Sequence, residues 1–142
     1  MKKKTYPLEY AGVKQRYATC VVVGDLVFCS GMTGRTAETG NVSSDNVAEQ
    51  MVVALDRIRK ALEETGSSME NIVKTVIYLK EMKDYRSMRD TEFEYYRKHC
   101  PHLVEEPPAS TVVQVVSLAR PRVLVEVDVV AVIPREEGTI NE

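Results

Sequence analysis

VLVEVDVVAVI, Val123 to Ile133, is the stretch on which the fold turns. Its β-branched residues predict a strand, and strand side chains project to opposite faces in turn. Val123, Val125, Val127, Val129 and Ala131 then share one face, and Leu124, Glu126, Asp128, Val130 and Val132 share the other. The first face is wholly apolar and calls for a core. The second is apolar too, apart from two carboxylates whose backbones lie about 7 Å apart along the strand. Unpaired buried charge is costly, so each carboxylate needs a cation, a wet cleft or a chemical role.

The elements around this strand predict the architecture. Residues 18–31 read as two short strands, and CVVVGDLVFC, Cys20 to Cys29, as a hairpin turning at Gly24-Asp25 in a type II′ turn, which sets Cys20 opposite Cys29. A cross-strand disulfide is then conceivable, and two reduced thiols are the expectation for a cytosolic chain. The polar stretch GRTAETGNVSS follows as a loop. DNVAEQMVVALDRIRKALEETG puts Val47, Met51, Ala54, Leu55, Ile58 and Leu62 on one helical face. Asn46 and Glu49 offer a capping box, and Gly66 a stop. Ile72–Lys80 alternates as a strand, Asp84–Cys100 reads as a second helix ended by Pro101, and His102–Pro108 as a loop. STVVQVV and VLVEVDVVAVI are the last strands, joined by the basic connection SLARPR, and the tail REEGTINE is expected to fray.

The order ββ-α-β-α-ββ predicts one domain over residues 1–142, an α+β fold with two helices on one face of a mixed sheet. No element remains to cover the second face of the last strand, which implies a partner, most simply another copy of the chain. The 142 residues suffice for a core, and 44% apolar with 28% charged residues is ordinary for a soluble domain. A net charge of -2 gives no bulk basicity for nucleic acid. MKKKTYPLEY is not followed by an apolar leader, and no run is long enough to span a membrane, so the expected location is cytoplasmic.

Chemistry-bearing residues are few. Glu126 and Asp128 stand open to two readings: ion pairs with Arg120, Arg122 or Lys74, or a carboxylate in a cleft where desolvation equips it to handle a water proton. His99 and His102 flank Cys100 in HCPH, a pair of solvated helix-end histidines rather than a metal centre. Phe93, Tyr95 and Tyr96 read as core and interface, since no basic stripe accompanies them for stacking on bases. No phosphate-binding loop, zinc helix or nucleophile elbow is present.

LVFCSGMTG, the run from DNVAEQ to EMKDY, PPASTVVQV and VLVEVDVVAV together closely resemble the YjgF/Rid family, the reactive intermediate deaminases, some of which carry the label endoribonuclease L-PSP. The resemblance runs from Tyr17 to Val132. It implies a chorismate-mutase-like subunit in a homotrimer, with the sheets forming a central barrel and clefts between neighbours. It also implies a cofactor-free hydrolysis of enamines or imines to a carbonyl compound and ammonia. Residue by residue, it implies that Glu126 positions the attacking water, that Tyr17 shapes the site, that Ser30 and Gly31 line it, and that Asp128 supports Glu126. The family's substrate-gripping arginine follows Pro-Ala, where this chain reads Pro108-Ala109-Ser110. Ser110 and Thr111 then become the expected substrate contacts at that position, and Arg89 or Arg16 the candidates to restore the lost charge. A small-metabolite binder that has lost turnover is the alternative, and ribonuclease activity ranks last for want of a His-His or His-Lys constellation.

Overall fold

The computed structural model describes residues 2–135. Seven strands and three helices follow one another as β1 (Lys3–Tyr10), β2 (Val13–Val23), β3 (Leu26–Cys29), β4 (Met32–Thr33), α1 (Val47–Glu64), β5 (Ile72–Leu79), α2 (Tyr85–His99), α3 (His102–Glu105), β6 (Ala109–Gln114) and β7 (Val125–Val132). They build one mixed sheet in the order β1-β2-β3-β7-β5-β6, with β4 beside β7 as well. Only β5 and β6 run parallel. The α+β class and the two helices on one face agree with the sequence reading. Among the described residues no helix is long and apolar enough to cross a membrane.

The alternation in β7 decides both faces. Val125, Val127, Val129 and Ala131 are at most 2% exposed and join Met51, Leu55, Ile58 and Met88 in the core. The opposite face carries Glu126, Asp128, Val130 and Val132, with Val76 and Tyr78 of β5 and Leu26 and Phe28 of β3 in register beside them. Leu26 and Phe28 are 41% and 45% exposed, so this apolar face stands open in the single chain.

Local chemistry places the ends of the elements. The Asn46 side chain accepts the Glu49 N–H at 3.0 Å as the N-cap of α1, as expected. The Glu49 carboxylate, however, takes the Ser44 hydroxyl rather than the Asn46 N–H, so the capping box is only half made. Gly66 ends α1 at φ +91°, the left-handed conformation that glycine adopts without penalty. In the β2–β3 turn Gly24 has φ +60° and Asp25 is not in the left-handed region, which fits the expected type II′ geometry.

Three expectations need correction. The sequence reading began the sheet at residue 18, whereas β1 and the first half of β2 form a long hairpin before it. Pro7 and the lysines of β1 hid it: the strand lies at the sheet edge and its register shifts on both sides of Pro7, where a missing N–H is tolerated. Residues 102–105, expected as loop, make the single-turn α3 after Pro101. The last strand begins at Val125 rather than Val123, because the Leu124 N–H leaves the ladder for the Gln50 side chain. The tail beyond Arg135 lies outside the described residues.

Candidate active site

Glu126 is fixed by its neighbours on two strands. Its backbone pairs with Thr33 of β4 on one side and Tyr78 of β5 on the other. The chain between β3 and β4 crosses over it at Ser30-Gly31. A Cβ built on Gly31 would lie 2.0 Å from Glu126 Oε2 and 2.7 Å from its carboxyl carbon. Gly31 is therefore the residue that lets the carboxylate reach its place. Ser30 is held from both ends: its N–H donates to Thr19 O at 3.0 Å and its hydroxyl to Ala18 O at 2.6 Å. That second bond locks the Ser30 rotamer and turns the free lone pairs of its oxygen outward.

These residues open onto a cleft of about 360 Å³ lined by Tyr17, Ser30, Gly31, Glu126, Arg35 and Arg120, among others. Four of the residues assigned from sequence thus meet in one place. Burial raises the Glu126 carboxyl above the usual range, and the nearby Asp128 charge adds to the shift. Neither carboxylate is in an ion pair among the described residues. Arg122 goes to Asp45 at 2.9 Å, and Lys74 donates to Thr111 Oγ1 at 2.8 Å. Asp128 instead accepts the Tyr78 hydroxyl at 3.0 Å, and burial, with that bond, raises the Tyr78 hydroxyl. The ion-pair reading of the two carboxylates is overturned. The arrangement suits a general base: a half-buried carboxylate with no ion-pair partner among the described residues, facing a cleft.

The remaining assigned residues lie elsewhere in the chain. Ser110, on β6, accepts Thr75 Oγ1 at 2.9 Å and Arg89 Nη2 at 3.0 Å. Arg89 of α2 thus places its guanidinium on Ser110, the side chain expected to contact substrate at that position. The same guanidinium also donates Nη1 to the buried Glu92 at 2.8 Å and Nε to the Tyr85 hydroxyl at 3.1 Å. With Phe93, Tyr96, Pro107 and Pro108 they line a hollow of about 180 Å³, two strands away from Glu126. Thr111 points to the opposite face of β6. Arg16 is exposed and outside the cleft lining.

Sequence reasoning missed Arg35, Tyr10 and Gln50. Arg35 is only 8% exposed, donates Nε to Gly40 O at 2.7 Å and lies 3.8 Å over the Tyr10 ring. Tyr10 sits in the unforeseen hairpin, so nothing in the sequence pointed to the pair. Gln50, 1% exposed, accepts from Leu124 N at 2.8 Å and donates to Ser44 O and Arg122 O at 2.8 and 3.0 Å. It anchors the β6–β7 connection to α1. A polar residue at a buried helix position was the available signal. Cys20 and Cys29 face each other in register and are both free thiols, as is Cys100. His99 and His102 are exposed, and among the described residues no group of three His, Cys, Asp or Glu could hold a metal.

The family model for endoribonuclease L-PSP matches residues 10–133. The chain belongs to that family. A RutC family protein of Pyrococcus abyssi is 30% identical over 115 residues, covering 81% of this chain and 84% of the relative. Human 2-iminobutanoate/2-iminopropanoate deaminase is 27% identical over 85 residues, 60% of this chain and 62% of that protein. The crystal structure of the YjgF gene product of E. coli superposes with a TM-score of 0.79 at 27% identity, covering 91% of this chain and 98% of that one. The YjgF/Rid resemblance read from the sequence is thereby shown, and with it the fold.

Proposed function

We propose that the protein hydrolyses an imine or enamine metabolite to a carbonyl compound and ammonia, with Glu126 as the base. The observation that carries this reading is the half-desolvated Glu126 carboxylate, unpaired and pressed against Gly31 at the wall of a cleft that also holds Tyr17 and Ser30. A relative named as a 2-iminobutanoate/2-iminopropanoate deaminase supports the reaction class. Glu126 takes a proton from water as the oxygen attacks the imine carbon, giving a carbinolamine. With the imine nitrogen protonated at the outset, the acid so formed returns its proton to the amine nitrogen, ammonia leaves, the hydroxyl proton passes to Glu126 as the carbonyl closes, and ammonia carries that proton away as ammonium, restoring the carboxylate. An enamine first takes a proton on carbon to become the imine. No cofactor enters these steps.

The open sheet face and the two separated hollows support a homotrimer as the working unit. Leu26, Phe28, Val130 and Val132 would be covered by neighbouring copies, and the Arg89–Ser110 hollow of one subunit would face the Glu126 cleft of the next. Size-exclusion chromatography with light scattering tests this, and a monomer at micromolar concentration would exclude it.

A binding protein without turnover is the second reading, favoured by Ser110 where the family pattern is expected to carry arginine. The ribonuclease label of the family finds no support in the cleft, whose lining contains no histidine or lysine. The deciding experiment is ammonia release from imines generated in situ by amino-acid oxidases, 2-aminoacrylate included, for wild type and Glu126→Gln. Turnover that vanishes in Glu126→Gln establishes the deaminase. A folded wild type silent across neutral, basic and acidic side chains moves the binder ahead.

A further inference from the structure

Arg35 is a buried guanidinium with no carboxylate partner among the described residues. Its Cζ lies over the Tyr10 ring, 3.8 Å from the centroid, and Arg57 Cζ lies 4.9 Å from the same centroid while Arg57 donates Nη1 to Arg35 O at 3.3 Å. Two guanidiniums thus share one aromatic ring. Buried cations are ordinarily matched by an anion, because desolvation and mutual repulsion both oppose them. Arg35 nevertheless lines the Glu126 cleft, and Arg120 lines it from the β6–β7 connection. That connection is held in place by Gln50 on Arg122 O and Leu124 N, and by Arg122 on Asp45. Glu126 is not the missing anion: among the described residues it makes no ion pair with either arginine.

Arg89 is engaged elsewhere. Its Nη1 goes to a Glu92 that is 2% exposed, Nη2 to Ser110 and Nε to Tyr85. That guanidinium is neutralised within its own helix, so it has little charge left for a ligand.

We propose that Arg35 and Arg120 form an anion subsite inside the Glu126 cleft, which binds the carboxylate of a small 2-imino or 2-oxo acid from the same chain that supplies Glu126. The proposal rests on the deaminase reading for the identity of the imine, and only on Arg35 and Arg120 for the grip. It moves the charged contact from β6, where Ser110 stands, to the two loops on the other side of Glu126. Guanidinium suits this task because it presents a fixed fork of donors to a carboxylate.

Calorimetric or NMR titration with pyruvate as the probe tests it. Methyl pyruvate serves as the neutral control and inorganic phosphate as the competing anion. Arg120 is exposed, so Arg120→Met is expected to fold normally and to bind pyruvate about tenfold or more weakly than wild type, the loss of one charged contact. Arg35→Lys, which keeps the charge and loses the fork, is expected to weaken binding as well. Wild type should prefer pyruvate to its methyl ester. Unchanged affinity in both Arg120→Met and Arg35→Lys, a loss confined to Arg89→Met, or no pyruvate binding by wild type would overturn the subsite. Phosphate binding that displaces pyruvate and exceeds it in affinity would overturn the carboxylate assignment. Glu126→Gln separates the two ideas: if it binds pyruvate while wild type hydrolyses no imine, the subsite stands and the deaminase reading falls.

Discussion

Gly31→Ala isolates the position of one carboxylate from everything else in the fold. Gly31 does not have a positive φ, so alanine meets no backbone strain there. Its Cβ would fall 2.0 Å from Glu126 Oε2, and real Cβ contacts do not come closer than 3.0 Å. The carboxylate must therefore retreat by about 1 Å or change rotamer. Because the clash is with the far end of a flexible, half-buried side chain, the fold should lose only about 1 kcal/mol, the low end of overpacking costs. That is a fall of about 2–5 °C in Tm for a domain of this size. A base displaced by about 1 Å should lose on the order of 100-fold in rate, or about 2.7 kcal/mol of barrier. Ammonia release and thermal melts on the same preparations check both. A Gly31→Ala protein that keeps wild-type kcat would refute the role given to Glu126. One that fails to fold would refute the claim that the contact is cheap to relax.

The acid limb of the pH–rate profile should lie above the ordinary glutamate range, because Glu126 works only as carboxylate and burial raises it. Asp128→Asn should move that limb to lower pH without restoring the ordinary value, since the Asp128 charge is the smaller cause. The same shift carries a stability sign: a carboxyl raised in the folded state binds its proton more tightly there, so its ionisation costs stability as pH rises through the interval between the unfolded and folded values. Glu126→Gln should therefore raise Tm at neutral pH and lose that advantage in acid, as differential scanning calorimetry would show. Gln50→Leu removes three hydrogen bonds and leaves the Leu124 N–H without its partner, and about 2–4 kcal/mol should be lost in urea denaturation. Cys20, Cys29 and Cys100 are 1, 8 and 1% exposed, so a thiol reagent should modify none of them rapidly before unfolding.

What the sequence disclosed followed from periodicity. The alternation in β7 assigned both sheet faces, and the spacing from Val47 to Leu62 assigned the buried side of α1, because burial of apolar side chains is what both patterns record. Glu126 and Gly31 were legible together only through the family resemblance, since nothing in spacing says that the β3–β4 crossing runs over β7. The β1–β2 hairpin was illegible for a physical reason. An edge strand is stabilised by one neighbour, tolerates Pro7 at a register shift and alternates weakly, so it lacks the signature of a buried strand.

The same reasoning explains why the arginines could not be ranked from the sequence. Sequence places a charge on an element but does not say which carboxylate claims it. Arg89 was expected to serve a ligand, and Glu92, three residues on and sealed by Tyr96, takes it first. Arg120 was one of three cations, with Arg122 and Lys74, offered to Glu126 or Asp128, and it reaches the cleft with no ion-pair partner among the described residues. Arg35 drew no notice in a loop rich in glycine and threonine, yet it is the most deeply buried of the three. In a site whose chemistry needs one anion held beside one base, the informative cation is the one whose own fold leaves it without a counterion. By that criterion the proposed charge in the Glu126 cleft comes from Arg35, in the loop after β4, and from Arg120, in the β6–β7 connection, rather than from α2.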